Sequence, residues 1–448
     1  MIDAVRKLMS GPGLRAELLR GGVGSIAVKV LGTLLSFAVA VVLARTLGPA
    51  GYGIYAYVFA LISLLSIPAQ FGLPVLVTRE TAKAHVNREW EVMRGVWRWA
   101  TLGSCALALV LALGAGAIAW FFAARFTELQ LITFAWGLLL VPLLALGKLR
   151  GAALRGLRYV VQGQLPEMML RPAFFLLLLA FLFVLWPEDG LTSAKAMALH
   201  VVAAATAFGV GAWLLMRARP AEVRGVDEVA YRHRQWFFST MPLAFIAGMQ
   251  LITQQTDLLM LGIFLTAEEV GVYRVAMQGA VLVSFGLTAI GMVTWPYYAR
   301  LYEKGDMAAF QRVATLSARA MLALALPVAA IFILFGQWLL AFVFGSEYVS
   351  AYYPLVILAC ANVIHAGFGT VGPLLNMTGY ESITARGIAI AAGCNVVLNA
   401  AFIPLFGMLG AAVATSIALV IWNFILWFSV RRILQVDSSA LGLNFRSV

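Results

Sequence analysis

Twelve stretches of about twenty or more mainly apolar residues follow one another along this chain. They lie at roughly 24–46, 51–77, 95–120, 129–147, 165–186, 194–216, 236–263, 270–296, 316–344, 351–376, 384–404 and 408–430. A helix needs about 20 such residues to cross the hydrocarbon core of a bilayer. Lipid offers no hydrogen bonds to the backbone, so stretches of this kind cross as helices that satisfy themselves internally. Composition agrees: 62% of the residues are hydrophobic and 12% charged, against about a quarter charged in a soluble domain. The expectation is an all-α integral membrane protein with twelve transmembrane helices. Interior prolines such as Pro68, Pro142, Pro172, Pro327 and Pro373 fit, because membrane helices tolerate proline.

The net charge of +12 is explained by topology rather than by a nucleic-acid partner. Placed on the twelve segments, 27 of the 32 basic residues fall on the side of the N-terminus and of the even-numbered loops, counting Arg171 just inside the fifth segment. Arg45, Arg125, Lys195 and Arg274 fall near the other side, and Lys29 lies within the first segment. Basic residues mark the cytoplasmic side, so both termini are expected there. The first apolar stretch follows Arg15 and Arg20 as a signal peptide would, but its length, Lys29 and the series behind it mark a retained helix. Cys105, Cys360 and Cys394 are odd in number and lie in apolar stretches, which suits small buried hydrophobes rather than disulfides.

The outward-facing loops are short and leave no room for an external catalytic domain. The one long polar connector, 217–235, divides the chain into lobes at 1–216 and 236–448. The lobes repeat each other. Leu47-Gly48-Pro49-Ala50-Gly51-Tyr52-Gly53-Ile54-Tyr55 joins the first two segments, and Leu265-Thr266-Ala267-Glu268-Glu269-Val270-Gly271-Val272-Tyr273 joins the seventh and eighth. The leucine, the later glycine and the last tyrosine coincide. Six is even, so both lobes enter the membrane in the same direction and are related by an axis along its normal. Duplication of this kind points towards transporters, whose halves rock about a shared site.

Helix 1 ends in Leu43-Ala44-Arg45-Thr46-Leu47-Gly48-Pro49, followed by Tyr52-Gly53-Ile54-Tyr55 and by Phe71-Gly72-Leu73-Pro74 before a basic loop. In the second lobe Asp257 precedes Leu265 by eight residues, and Leu375-Asn376-Met377-Thr378-Gly379 forms a small-residue turn. Leu154-Arg155-Gly156-Leu157 is a weaker counterpart in the fourth loop. This pattern resembles the polysaccharide and oligosaccharide flippases (Wzx-like) of the multidrug/oligosaccharidyl-lipid/polysaccharide exporter superfamily. The resemblance implies two pseudo-symmetric six-helix lobes around a central cavity lined largely by helices 1, 2, 7 and 8. It also implies movement of an undecaprenyl-diphosphate-linked oligosaccharide to the outer leaflet, in a bacterial cytoplasmic (inner) membrane, by a monomer. Peptidoglycan-precursor flippases of the superfamily usually have fourteen helices, which the twelve here do not match.

Charges at membrane depth are costly and face protein or water. Asp257 and Arg274 each lie 8.5 positions from the middle of their hairpin, hence at similar depth. They form either a structural ion pair, or a site at which Arg274 meets a diphosphate while Asp257 holds it or exchanges it for a proton or sodium ion. Gln250, Thr253, Gln254 and Asp257 form a stripe on helix 7, and Arg274, Gln278 and Thr288 are compatible with one on helix 8. Lys29, Gly32, Thr33 and Ser36 on helix 1, and Tyr52, Tyr55, Phe59, Ser63, Ser66 and Gln70 on helix 2, follow the same spacing. Such stripes also serve close helix packing, which is the favoured reading for helix 1. Lys29, Arg45, Arg171 and Arg274, with Gln250, Gln254 and Gln278, are the candidates for substrate contact, and Asp257 for partner or coupling site. Snorkelling accounts equally for Lys29. His365, His200, Asn362, Asn395 and Asn399 read as hydrogen-bonded packing residues first.

No P-loop occurs, and no His, Cys and carboxylate cluster has metal-ligand spacing, so neither an enzyme nor a cofactor is expected. The competing reading is a multidrug exporter for organic cations, which calls for uncompensated membrane carboxylates.

Overall fold

The computed structural model describes residues 14–185, 190–225 and 228–442, with side chains from Gly24 onward except Leu185, Ile246, Gln250 and Leu251. The Gln250 side chain and the N-terminal Arg6, Lys7, Arg15 and Arg20 side chains therefore lie outside what is described. The described residues are helical nearly throughout. In chain order the helices are α1 (Leu14–Gln70), α2 (Leu73–Asn87), α3 (Trp90–Phe121), α4 (Glu128–Leu138), α5 (Leu140–Gly156) and α6 (Val160–Leu165). They continue with α7 (Arg171–Leu185), α8 (Ser193–Ala218), α9 (Ala221–Arg224), α10 (His233–Phe264) and α11 (Ala267–Glu303). The series ends with α12 (Met307–Val343), α13 (Tyr352–Phe368), α14 (Val371–Met377) and α15 (Glu381–Leu434).

Among the described residues nine helices, some interrupted, are long and apolar enough to cross a membrane, and ten if His233–Met249 and Ile252–Phe264 count as one span. Two of these are overlong. The apolar part of α1, Gly24–Gln70, has 47 residues, about 70 Å of helix against a core of about 30 Å. It breaks at Gly48 (φ 65°, ψ 175°), and the 54-residue α15 breaks at Gly407 (φ 56°, ψ −135°). Both breaks have positive φ, which glycine adopts without steric cost. The protein is a multi-pass, all-α membrane protein.

Several expected loops are helical. The chain after Phe71-Gly72 re-enters a helix at once, so Arg79 and Lys83 ride on α2 and flank the buried Glu80 at 3.1 and 3.8 Å. Lys148 and Arg150, expected in the fourth loop, lie within α5, which continues to Gly156.

By contacts the chain forms two compact units. One holds residues up to Leu43 with Val58–Gly248; the other holds Ala44–Tyr57 with the chain from Met249 onward. The first has a core of Leu73, Leu76, Val77, Val92, Val96 and Leu149 around Trp236. The second has cores around Tyr298, Phe310 and Leu426, and around Met321 and Val283.

The repeated hairpins explain why Ala44–Tyr57 joins the second unit. A Cβ on Gly53 would stand 1.6 Å from the Ala267 carbonyl oxygen, and one on Gly271 would stand 2.1 Å from that of Pro49. Gly53 and Gly271 are equivalent in the repeat, as are Pro49 and Ala267. The two copies thus cross reciprocally, backbone on backbone, at the glycine they share. Close approach of this kind needs small residues. The copies start their second helices differently: Gly48-Pro49 in one, and in the other a capping box in which Thr266 and Glu269 satisfy each other's backbone N–H. Glu269 thus caps α11.

Candidate functional site

In the first unit, four charged side chains meet on α5, α7 and the turn between α6 and α7. Pro166 has no N–H to give to a helical bond. The chain answers with a π-helical turn, Pro166–Leu170, closed by the Arg171 N–H donating to the Pro166 carbonyl. Such turns recur at functional sites. This one sets Glu167 between two arginines, with Arg150 Nη2 at 3.3 Å from Oε1 and Arg171 Nη1 at 3.6 Å from Oε2. Lys148 lies close enough for its charge to interact with both Glu167 and Arg171.

Burial in this cluster is graded. The Arg150 side chain is 4% exposed, Glu167 20% and Arg171 24%, while Lys148 is exposed. Arg150 also donates to the Ala207 and Phe208 carbonyls and lies 5.1 Å from the Phe208 ring centroid. Two glycines make the room: a Cβ on Gly147 would stand 2.1 Å from Glu167 Oε1, and one on Gly211 would stand 2.2 Å from Arg150 Cζ. Three cations against one carboxylate leave a surplus of positive charge, with Lys148 and Arg171 the accessible members. Of these four, only Arg171 is anticipated as a site residue. A carboxylate inside the apolar stretch 165–186, four residues before Arg171, is the signal that points to Glu167.

In the second unit, Asp257 is 3% exposed and lies in a cage of neutral groups. Its Oδ2 accepts from Thr415 Oγ1 (2.6 Å) and Tyr273 Oη (3.0 Å), and its Oδ1 from Asn399 Nδ2 (3.0 Å) and Asn395 Nδ2 (3.4 Å). Four donors from α11 and α15 satisfy a buried carboxylate without a cation. Of the two readings of Asp257 and Arg274, the direct ion pair is not formed, because the carboxylate is bonded by neutral donors. Depth matches, but successive helical residues point about 100° apart. Tyr273 faces the carboxylate, and Arg274 lies beside the Tyr52 hydroxyl instead. The Asn395 and Asn399 Oδ1 atoms are buried in the cage and receive no hydrogen bond. Since each amide turns its nitrogen to the carboxylate, its oxygen is fixed on the other side.

The remaining expected residues are scattered. Arg45 is exposed and donates from Nε to the Val343 carbonyl at 2.7 Å and from Nη2 to that of Phe342, so it caps the C-terminus of α12. Lys29 is half-buried, Gln254 exposed and Gln278 half-buried. Gly32 packs on the Met168 carbonyl, where a Cβ would be 2.3 Å away, and Thr33 bonds back to the Lys29 carbonyl. In the last turns of α1, Ser66 bonds to the Ser63 carbonyl and accepts from Gln70. These two stripes are at least partly packing surfaces. His365 pairs with Asn423 at 2.7 Å, and His200 stacks 4.9 Å from Phe175. Among the described residues no group of three or more His, Cys, Asp and Glu is placed to hold a metal.

The fold is similar to those of solved membrane transporters. An inward-facing multidrug resistance MATE family transporter of the MOP superfamily aligns over 92% of this chain and 98% of its own, with a TM-score of 0.72 at 14% identity. The lipid II flippase MurJ in an inward closed conformation aligns over 92% and 87%, with a TM-score of 0.68 at 14% identity. These neighbours are named as a transporter and a flippase, not as enzymes. The chain belongs to the polysaccharide biosynthesis protein family, whose pattern it matches over residues 18–302. A Haloferax volcanii protein described as a probable low-salt glycan biosynthesis flippase, Agl15, is 27% identical over 192 residues, 42% of this chain and 39% of that protein. The chain spans about two fifths of the length of the curated relatives it matches.

Proposed function

We propose that this protein flips a polyprenyl-diphosphate-linked glycan from the cytoplasmic to the outer leaflet by alternating access. The observation that carries this reading is the surplus of positive charge at Lys148, Arg150 and Arg171 around the single carboxylate of Glu167. A diphosphate needs clustered cations at membrane depth, and an organic cation is repelled by them. Membership of a polysaccharide biosynthesis family and likeness to a flippase support the same substrate class. In this reading Lys148 and Arg171 receive the diphosphate, and Glu167 orients the arginines between substrate molecules. Lys29 in the first unit, and Arg274, Gln278 and Gln254 in the second, are further candidates for substrate contact. Dividing α1 at Gly48 and α15 at Gly407, and taking α10 as one span, makes twelve crossings. Both termini then lie in the cytoplasm, and the protein acts as a monomer. Undecaprenyl is the carrier if the membrane is a bacterial inner membrane; the curated relatives are archaeal.

The test is translocation of a fluorescent polyprenyl-diphosphate oligosaccharide in proteoliposomes. Lys148→Gln with Arg171→Gln is expected to lower the rate at least tenfold at unchanged expression, and an unchanged rate overturns the assignment. A second reading, export of organic cations, is favoured by the 92% coverage of the multidrug transporter fold and by the buried Asp257. Ethidium efflux from the same vesicles, without glycan translocation, establishes it instead.

Ion coupling belongs to Asp257. Its carboxylate and the Thr415 and Tyr273 hydroxyl oxygens bonded to it offer oxygen atoms to a proton or a sodium ion. Asp257→Asn keeps the shape and removes the charge. Its expected effect is transport that no longer responds to an imposed sodium or proton gradient, whereas a retained response removes Asp257 from coupling.

A further inference from the structure

We propose that the first unit holds an anionic phospholipid where α3 and α8 approach the membrane surface. A cavity of about 300 Å³ is lined there by Arg94, Trp97, Arg98, Arg219, Val223 and Arg224. Arg94 and Arg98 stand in the first turns of α3, Arg219 directly follows α8, and Arg224 ends α9. Four guanidinium groups around one cavity form a receptor for phosphate oxygens, which arginine meets with paired donors. The acidic residues of the same elements, Glu91 and Glu222, are exposed and do not line it.

An apolar groove meets this cavity at Trp97. It encloses about 220 Å³ between Trp97, Leu146, Leu149, Phe208, Ala212 and Leu215. Trp97 lines both spaces, and its ring is held by Nε1 donating to Thr81 Oγ1 at 2.8 Å. Arg224 tethers the two, donating from Nη2 to the carbonyl of Met216, a residue of the groove. The groove's one charged member, Arg150, turns its guanidinium to Glu167 and to carbonyls of α8.

Cationic cavity and apolar groove, joined at a tryptophan, match one amphiphile: a phosphate head with an acyl chain beside it. A free phosphate ion fills only the first space. A zwitterionic lipid matches the groove but brings an ammonium group to the arginines. Tryptophan at this level is the usual membrane-interface anchor, and clustered arginines at the cytoplasmic surface attract anionic lipid by about fivefold in affinity per charge. The groove shares Arg150 with the charged cluster described above, but the four-arginine cavity does not, and the proposal does not depend on the substrate path.

Native mass spectrometry of the delipidated protein tests this. Phosphatidylglycerol is expected to be retained at least tenfold more than phosphatidylcholine. Arg219→Gln with Arg224→Gln, both at exposed positions, is expected to lower phosphatidylglycerol retention roughly 25-fold and leave phosphatidylcholine unchanged. Ala212→Phe fills the groove and is expected to weaken phosphatidylglycerol binding while leaving inorganic phosphate binding intact. Undiminished phosphatidylglycerol retention in the double arginine variant overturns the proposal. So does full displacement of phosphatidylglycerol by inorganic phosphate, which makes the cavity an ion pocket. Should Ala212→Phe fail to fold, the arginine variant and the phosphate competition still decide.

Discussion

Gly271→Val is expected to destabilise the second unit by about 3 kcal/mol or more, at the upper end of what overpacking costs. The new Cβ would meet the Pro49 carbonyl oxygen at 2.1 Å and the Gly53 amide nitrogen at 3.0 Å. Both obstacles are backbone, so no rotamer relieves them, and the hairpins have to move apart. Gly53→Val is expected to do the same through the Ala267 carbonyl. The double variant should cost much less than the sum, because either change alone opens the same crossing. Gly393→Ala is the control: it lies in α15 with nothing within 4 Å of the added Cβ, and helix propensity favours alanine. Thermal unfolding in detergent measures all four. A Gly271→Val midpoint within a degree of the parent's would show that the crossing carries no energy.

Removing Glu167 is the second large effect. Glu167→Ala leaves Arg150, 4% exposed, with only carbonyl partners, and sets it and Arg171 against each other with nothing between. Breaking a buried ion pair from one side costs about 3–5 kcal/mol, because the remaining charge stays desolvated. Glu167→Ala is therefore expected to unfold at a much lower temperature. Adding Arg150→Met should recover most of the loss, since an apolar side chain of similar length replaces the stranded charge. The cycle also separates structure from function. Recovered stability without recovered glycan translocation places the arginine in transport. Recovery of both makes the pair structural, leaving Lys148 and Arg171 as the cations that matter.

Much of the fold is legible in the chain because it rests on one-dimensional quantities. Span length, loop charge and the repeated Leu–Gly–Tyr hairpin need no knowledge of neighbours. The site is less legible. Asp257 stands out in sequence because a carboxylate in an apolar helix is costly, but its partners are 16, 138, 142 and 158 residues away. Symmetry of depth suggested Arg274, and one residue of helical rotation gave the place to Tyr273. Glu167 does not stand out beside Arg171 because its partner Arg150 reads as part of a basic loop, whereas α5 carries it into the unit's interior.

What the amino-acid sequence determined alone was the kind of solvent this chain needs, the number of apolar stretches it offers to a membrane, and its duplication. Those follow from hydropathy and spacing, which sum along the chain. Tertiary structure decided which way each polar side chain faces and which charges share a space. The duplicated glycine shows the division plainly. As sequence it is a mark of repetition; in the fold it is the one side-chain size at which Gly53 and Gly271 let two backbones cross.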